Sequence, residues 1–176
     1  MVSLRCKIIV KEELHKLGLQ YLAVDLGMVE LQEKIPVYER VQLKDNLYKL
    51  GFELLEDKKS ILIERIKIVI IEMIHYSDEL PTKNYSDYIS EKLNHDYTYL
   101  SNIFSEVNGI TIQQFIILHK IEKVKEMVLY DHFTLTEIAH KLNYSSVSHL
   151  SNQFKKVTGL TTSFFKSLKE KKSFPS

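Results

Sequence analysis

The chain has 176 residues, 44% hydrophobic and 27% charged, with a formal net charge of +1, a length that holds one or two domains. It contains no apolar run of the roughly 18 residues a membrane-spanning helix needs and no signal-peptide pattern. Its single Cys excludes an internal disulfide, so the expectation is a soluble cytoplasmic protein with no membrane partner.

Residues 1–57 read as a small α/β domain. Helical spacing runs from Cys6 to Lys16 and stops at Gly18. Tyr21–Leu26 and Met28–Gln32 read as two strands around Gly27. Pro36 opens a second helix to about Leu50, with Gly51 after it. Phe52–Leu55 then reads as a last strand. The order α-β-β-α-β lacks only a first strand to complete the βαββαβ ferredoxin-like plan. Such a gap is expected if the chain starts at an internal Met of a longer gene product. The order is similar to heavy-metal-associated domains, whose metal loop reads M-x-C-x-x-C. Here the loop is Met1-Val2-Ser3-Leu4-Arg5-Cys6, so Ser3 replaces the first ligand. One thiolate does not chelate a soft metal by itself, and no metal or other cofactor is expected. A metal-responsive protein working through Cys6 is the alternative this segment leaves open.

From Ser60 the pattern turns helical over a wide apolar face: Ile61, Leu62, Ile66, Val69, Ile70, Met73 and Ile74. This is the first helix of a second domain, residues 58–176, or else a dimerisation helix. Asp78 to Asn84, with Pro81, forms a loop.

The remainder is organised by an internal repeat. Leu100-Ser-Asn-Ile-Phe104-Ser-Glu-Val107-Asn-Gly109-Ile-Thr111 returns 50 residues later as Leu150-Ser-Asn-Gln-Phe154-Lys-Lys-Val157-Thr-Gly159-Leu-Thr161, with seven of twelve positions identical. Leu100, Ile103, Phe104 and Val107 form one helical stripe, as do Leu150, Phe154 and Val157. Gly109 and Gly159 stand where a left-handed cap ends each helix, and Thr111 and Thr161 stand as N-caps of the next. Upstream of each copy lies a shorter amphipathic segment, Asp87–Asn94 and Thr136–Asn143, the second turn one residue longer. Each unit is thus helix, turn at Asn, helix, Gly: a helix-turn-helix, whose second helix can lie in a DNA major groove, or an αα-hairpin of a bundle with no nucleic-acid role. Opposite the apolar stripe stand Thr98, Ser101, Asn102 and Ser105, and in the second copy Ser148, Ser151, Asn152 and Lys155. A solvated face more often carries Glu/Lys pairs, whereas short hydroxyl and amide side chains approach base edges closely.

Residues from about 58 to 170 resemble the DNA-binding domain of AraC/XylS-type transcription regulators, two helix-turn-helix units joined by a long helix. The carrying residues are Ile138-Ala139, then Asn143-Tyr144, then Leu150-Ser-Asn-Gln-Phe154-Lys-Lys-Val-Thr-Gly159-Leu-Thr-Thr162-Ser-Phe-Phe165-Lys166. Asn143 replaces the family's usual Gly, and Thr162 its usual Pro. The expected fold class is therefore α+β: a small ferredoxin-like N-terminal domain lacking its first strand, then an all-α domain. Its units are expected at about 85–108 and 135–158, linked by a helix over about 112–130. That helix points Phe115, Leu118, Ile121, Val124 and Leu129 inward, and Lys120 stands where the family usually has Arg. At ~1.5 Å per residue it spans roughly 30 Å, close to the ~34 Å between successive major-groove faces.

Charge is uneven. Residues 141–172 hold seven Lys and one Glu, a net of +6, while residues 78–119 hold two Lys and six acidic residues, a net of −4. The second unit therefore carries the attraction to phosphate; the first must rely on helix N-termini, backbone amides and short polar groups. The cluster Lys166, Lys169, Lys171 and Lys172 reads alternatively as a frayed basic tail, and for Lys171 and Lys172 that reading stands level with a phosphate contact. The seven His are scattered, and neither a Gly-rich phosphate loop nor a nucleophile elbow occurs, so no catalytic residues are expected. The resemblance implies a sequence-specific transcription regulator binding double-stranded DNA. Expected base contacts are Thr98, Ser101, Asn102, Ser148, Ser151 and Asn152; expected backbone contacts are Thr111, Gln113, Lys155, Lys156, Thr161 and Lys166. RNA polymerase, a second copy of the chain and a small effector are further candidate partners. The acidic first unit leaves a helical interaction module without DNA affinity as the main rival.

Overall fold

The computed structural model describes residues 3–55, 57–77, 80–81, 84–130 and 133–172, the last four through their backbone. The chain divides into two compact units, Met1–Ile68 and Val69–Ser176.

In the first unit α1 (Leu4–Lys16) is followed by the hairpin β1 (Tyr21–Asp25) and β2 (Met28–Leu31), then by α2 (Val37–Lys49). The strands pair antiparallel with Asp25 opposite Met28 and Tyr21 opposite Leu31. Val10 and Leu14 of α1, Leu19, Val24 of β1, and Leu43 and Leu47 of α2 form the buried core. Glu13 is buried beside it, and its carboxylate accepts from Asn46 Nδ2 at 2.8 Å and Lys16 Nζ at 3.1 Å. The observed element order here is α-β-β-α, with a two-stranded sheet. The strand expected at Phe52–Leu55 does not form. Gly51 takes a left-handed φ of 82°, and Phe52 donates its N–H to the Leu47 carbonyl at 2.9 Å. That bond closes the end of α2 as a Schellman motif, so the Phe52 N–H serves a helix cap instead of a strand ladder. Its side chain packs against the core as the hydrophobe that accompanies such caps. Ser3 and Cys6, the sites of the metal-loop comparison, make the first turn of α1: Ser3 Oγ accepts from the Cys6 N–H and donates to Cys6 Sγ at 3.2 Å. Among the described residues no three His, Cys, Asp or Glu side chains are grouped to hold a metal ion, and no helix is long and apolar enough to cross a membrane.

The helix α3 (Lys58–Ile71) contains the division between the units and runs on into a π-helical turn, Glu72–Tyr76. Ser77 closes that turn by donating its N–H to the Glu72 carbonyl at 3.0 Å and its Oγ to the same oxygen at 3.2 Å. The second unit continues with α4 (Tyr85–Leu93), α5 (Tyr97–Asn108), α6 (Ile112–Tyr130), α7 (Leu135–Lys141), α8 (Val147–Thr158) and α9 (Thr162–Lys172). The all-helical expectation for this part holds, with α6 as the joining helix.

Local chemistry explains these boundaries. Asp96 caps α5 by accepting from Tyr99 N–H, and Ser146 caps α8 by accepting from His149 N–H. Thr134 and Glu137 form a reciprocal capping box on α7. Thr111 and Gln114 make the same exchange at the start of α6: Thr111 Oγ1 accepts from Gln114 N–H at 3.1 Å, and Gln114 Oε1 accepts from Thr111 N–H at 2.9 Å. Gly109 and Gly159 end α5 and α8 at φ of 69° and 76°, where a residue with a Cβ is strained. The two turn asparagines, Asn94 and Asn143, are also left-handed, at φ of 53° and 50°. Asn tolerates that conformation through its short polar side chain.

The repeat extends further than the motif itself. Phe104 of α5 meets Phe115 of α6 edge-on at 5.4 Å between ring centroids, and Phe154 of α8 meets Phe165 of α9 in the same way at 5.6 Å. Each copy is therefore three helices, the third being the opening of α6 or α9. Leu100, Phe104, Leu150 and Phe154 are fully buried, as the stripe requires. Val107 and Val157 are not: they are 57% and 37% exposed. Each lies in the last helical turn, where the seventh position has drifted about 20° off the stripe. Leu118 is likewise 43% exposed, and Lys120 is buried among the apolar residues of α6 instead.

Candidate nucleic-acid interface

Two recognition-type helices, α5 and α8, present equivalent surfaces. Their apolar faces are held by α4 and α7 and by α6 and α9. Of the predicted base-contacting residues, Thr98 and Asn102 on α5 and Ser148 and Asn152 on α8 stand exposed. Ser101 and Ser151, one position before each Asn, are half-buried, so they lie recessed. The structure thus brings Thr98 with Asn102, and Ser148 with Asn152, onto one exposed face four residues apart. Ser105 on the same face donates its Oγ to the Ser101 carbonyl at 2.7 Å, which ties the hydroxyl back to its own helix.

The predicted backbone contacts fall into two groups. Gln113, Lys155, Lys156 and Lys166 are exposed. Thr111 and Thr161 are exposed too, but their hydroxyls already serve as helix caps, Thr161 Oγ1 accepting from Phe164 N–H at 3.2 Å. Thr162, where a Pro was the family expectation, is buried at the first position of α9. The side chains of Lys169, Lys171 and Lys172 lie outside the described residues.

The electrostatic contrast between the helices is local. Positions Lys155 and Lys156 of α8 correspond to Ser105 and Glu106 of α5. At its N-terminal end α8 carries a set of interlocked polar groups: His149 Nδ1 lies 3.0 Å from Ser145 Oγ, and the His149 ring meets Tyr144 edge-on at 5.2 Å. Tyr144 in turn donates its hydroxyl to Gln153 Oε1 at 2.7 Å. Burial pushes the Tyr144 phenol well above its ordinary value, so it remains a donor. These contacts hold the turn and the exposed side of α8 in one geometry.

Two features, one buried and one half-buried, lie behind this face. Lys120 is 7% exposed, with Nζ 4.0 Å from the Tyr144 ring centroid and 5.8 Å from that of Tyr85. Burial pulls it down to about 8. His75, on the π-helical turn, places Nε2 3.2 Å from His119 Nδ1 on α6. Burial lowers both imidazoles, so the pair favours the neutral state, one ring donating and the other accepting. The available signal for Lys120 was its spacing, four residues after Ile116 and four before Val124.

Residues 89–167 match the family described as a helix-turn-helix domain. An uncharacterised HTH-type transcriptional regulator of Bacillus subtilis (strain 168), YtdP, is 28% identical over 92 residues, which are 52% of this chain and 12% of that protein; the match thus spans about an eighth of the regulator's length. The C-terminal domain of the two-component response regulator yesN from Fusobacterium nucleatum subsp. nucleatum ATCC 25586 shares the fold with a TM-score of 0.50 at 26% identity, covering 58% of this chain and 95% of that one. A DNA-binding transcriptional dual regulator from Escherichia coli K-12 has a TM-score of 0.55 at 16% identity, covering 68% and 99%. The duplicated three-helix units and these likenesses agree that the helical part of this chain carries a helix-turn-helix domain similar to those of transcriptional regulators.

Proposed function

We propose that this chain is a sequence-specific DNA-binding transcription regulator of the AraC type, acting in the cytoplasm and not as an enzyme. Its helices α5 and α8 enter successive major grooves of one duplex. Thr98, Ser101, Asn102, Ser148, Ser151 and Asn152 read base edges, with the exposed Thr98, Asn102, Ser148 and Asn152 foremost and the two recessed serines, Ser101 and Ser151, set behind them. Gln113, Lys155, Lys156, Lys166 and the capped ends at Thr111 and Thr161 meet the phosphates. Residues 1–57 serve as a sensory or dimerisation domain for the DNA-binding part, 58–176. Further partners are a second copy of the chain, a small effector and RNA polymerase.

The observation that carries this reading is the repetition itself. Both copies keep an exposed Asn in the same slot beside a fully buried Leu and Phe. A bundle has no need to repeat a surface amide, whereas a duplex read at two grooves does. Selection of duplexes from a random pool tests it: two short blocks about one helical turn apart are expected. Recovery of no preferred sequence would defeat the proposal.

The net charge of −4 over residues 78–119 favours a second reading, an interaction module that has kept the bundle and lost DNA affinity. Salt titration on random duplex separates the two. A regulator binds at low salt and weakens steeply as salt rises; an interaction module shows no binding from the start.

A further inference from the structure

We infer that Lys120 is a positioning residue that latches the two helix-turn-helix units to each other, and that Asn143 extends the latch at its rim. The inference deepens the DNA-reading proposal and rests on it for its functional consequence, a single permitted spacing between the two blocks of the bound duplex.

The geometry is direct. Lys120 lies midway along α6 and is buried, yet its ammonium faces two tyrosine rings from different units. Tyr85 opens α4 of the first helix-turn-helix, and Tyr144 belongs to the turn before α8 of the second helix-turn-helix. The Nζ distances of 4.0 Å to Tyr144 and 5.8 Å to Tyr85 fall within cation–π range for both. From Tyr144 the connection continues to the recognition helix through the 2.7 Å hydrogen bond to Gln153. On the rim, Asn143 Nδ2 donates to the Pro81 carbonyl at 3.3 Å, joining the same turn to the segment leading into α4.

Two anchors on a common helix would leave each unit free to rock about α6. A direct bridge between the units removes that freedom before DNA arrives. A buried cation is a costly way to fill space: an apolar side chain of similar volume packs as well or better. Its retention at the junction is explained by what it joins. Asn143 adds a side-chain bond that a Gly at the same left-handed position would not make.

Spacing is where the latch shows. One base pair inserted between the blocks turns one against the other by about 34° and shifts it by about 3.4 Å. A latched pair of units follows that displacement poorly; an unlatched pair follows it better.

The test uses the full chain and the duplex it selects from a random pool, with versions carrying one base pair more or fewer between the blocks. The wild-type chain should lose roughly tenfold or more in affinity on either change. Lys120→Met should reduce that loss to about twofold while its thermal midpoint stays level or rises. Lys120→Arg, which keeps the cation, should restore the wild-type spacing profile. Asn143→Gly, which suits the φ of 50°, should relax spacing to a smaller degree. A folded Lys120→Met variant with the wild-type spacing loss overturns the inference. Hydrogen exchange judges the latch without DNA: Lys120→Met should speed exchange severalfold in α4 and in residues 142–146 together. Unchanged exchange in α4 overturns the latch whatever DNA does. If no duplex is selected but the coupled exchange is seen, the DNA reading fails and the bridge between the units stands.

Discussion

At the scale of single residues, position on the helix separates the groups proposed to read DNA from the groups that hold the fold. Asn102 and Asn152 are exposed two residues after a buried Leu and two before a buried Phe, so the scaffold fixes where each amide points. Asn pairs in bidentate fashion with adenine N6 and N7, worth ~1–3 kcal/mol of discrimination. Asn152→Ala should weaken the selected duplex by that amount and relax one base position, leaving random DNA unaffected. Lys155→Ala should weaken all sequences alike and flatten the salt slope by about one unit. Unchanged preference in Asn152→Ala, measured by repeating the selection, would show that α8 docks otherwise. Phe154 holds: it is fully buried against Phe165, and Phe154→Ala should cost ~3–5 kcal/mol by denaturation. Lys120 predicts a pH dependence. Its folded value of about 8 lies below the ordinary 10.5, so the fold favours the neutral amine. Stability should therefore rise from about pH 8 toward 10.5 and be lower below 8. The raised Tyr144 phenol opposes this above about pH 10, where the unfolded chain ionises first. Thermal midpoints at pH 7.5 and about 9.5 should differ in the wild type, with the difference absent in Lys120→Met.

Helices, considered as elements, were legible where their signals are local. Caps and left-handed stops are set by three or four adjacent residues, which is why α6 begins at Ile112 and α9 at Thr162, directly after the N-cap signals at Thr111 and Thr161. The same physics misled at Phe52, because an apolar residue after Gly suits both a strand start and a Schellman closure. Only the hydrogen bond to Leu47 decides between them. Side-chain directions on α6 were less legible. That helix is contacted by the π-helical turn and by α5, α7, α8 and α9, so no single stripe faces inward. The inward places of Lys120 and Met127, and the outward place of Leu118, follow from neighbours distant in sequence. The exposed Thr98–Asn102 and Ser148–Asn152 faces could be placed from spacing because α5 and α8 each bury one side only. The Gly stops offer a clean check. Nothing lies within 4 Å of a Cβ built on Gly159, so Gly159→Ala carries the backbone penalty alone, ~1–2 kcal/mol. Gly159→Asn should cost less, since Asn already occupies the left-handed turns at 94 and 143. Equal losses for the two variants by chemical denaturation would place the cost in packing instead.

Across the whole molecule the two units differ in what can stabilise them. Among its described residues the first holds a buried cluster of Val10, Leu14, Leu19, Val24, Leu43 and Leu47, a sheet of two strands, and the further buried side chains Leu26, Leu62, Ile63 and Ile66. A two-stranded hairpin is marginal without packing on helices, and small units bury a smaller fraction of their surface. Several apolar side chains of this unit face outward instead, among them Leu22 on β1 and Val37, Val41 and Tyr48 on α2. No disulfide supplements it, since the chain has one Cys. The second unit buries Leu100, Phe104, Ile112, Ile116, Ile121, Val124, Leu150 and Phe154 around a helix of 19 residues, and it repeats its aromatic pair. Opening of the first unit should therefore precede opening of the second, since local opening tracks buried apolar contact. Amides of β1, Tyr21–Asp25, should exchange faster than those in the middle of α6 under native conditions. The ratio should narrow in mild denaturant, because opening the larger second unit exposes more surface and its free energy falls more steeply. Equal protection in β1 and α6 across that range would mean that the chain opens as one cooperative body, and the weaker standing assigned to the N-terminal unit would be wrong.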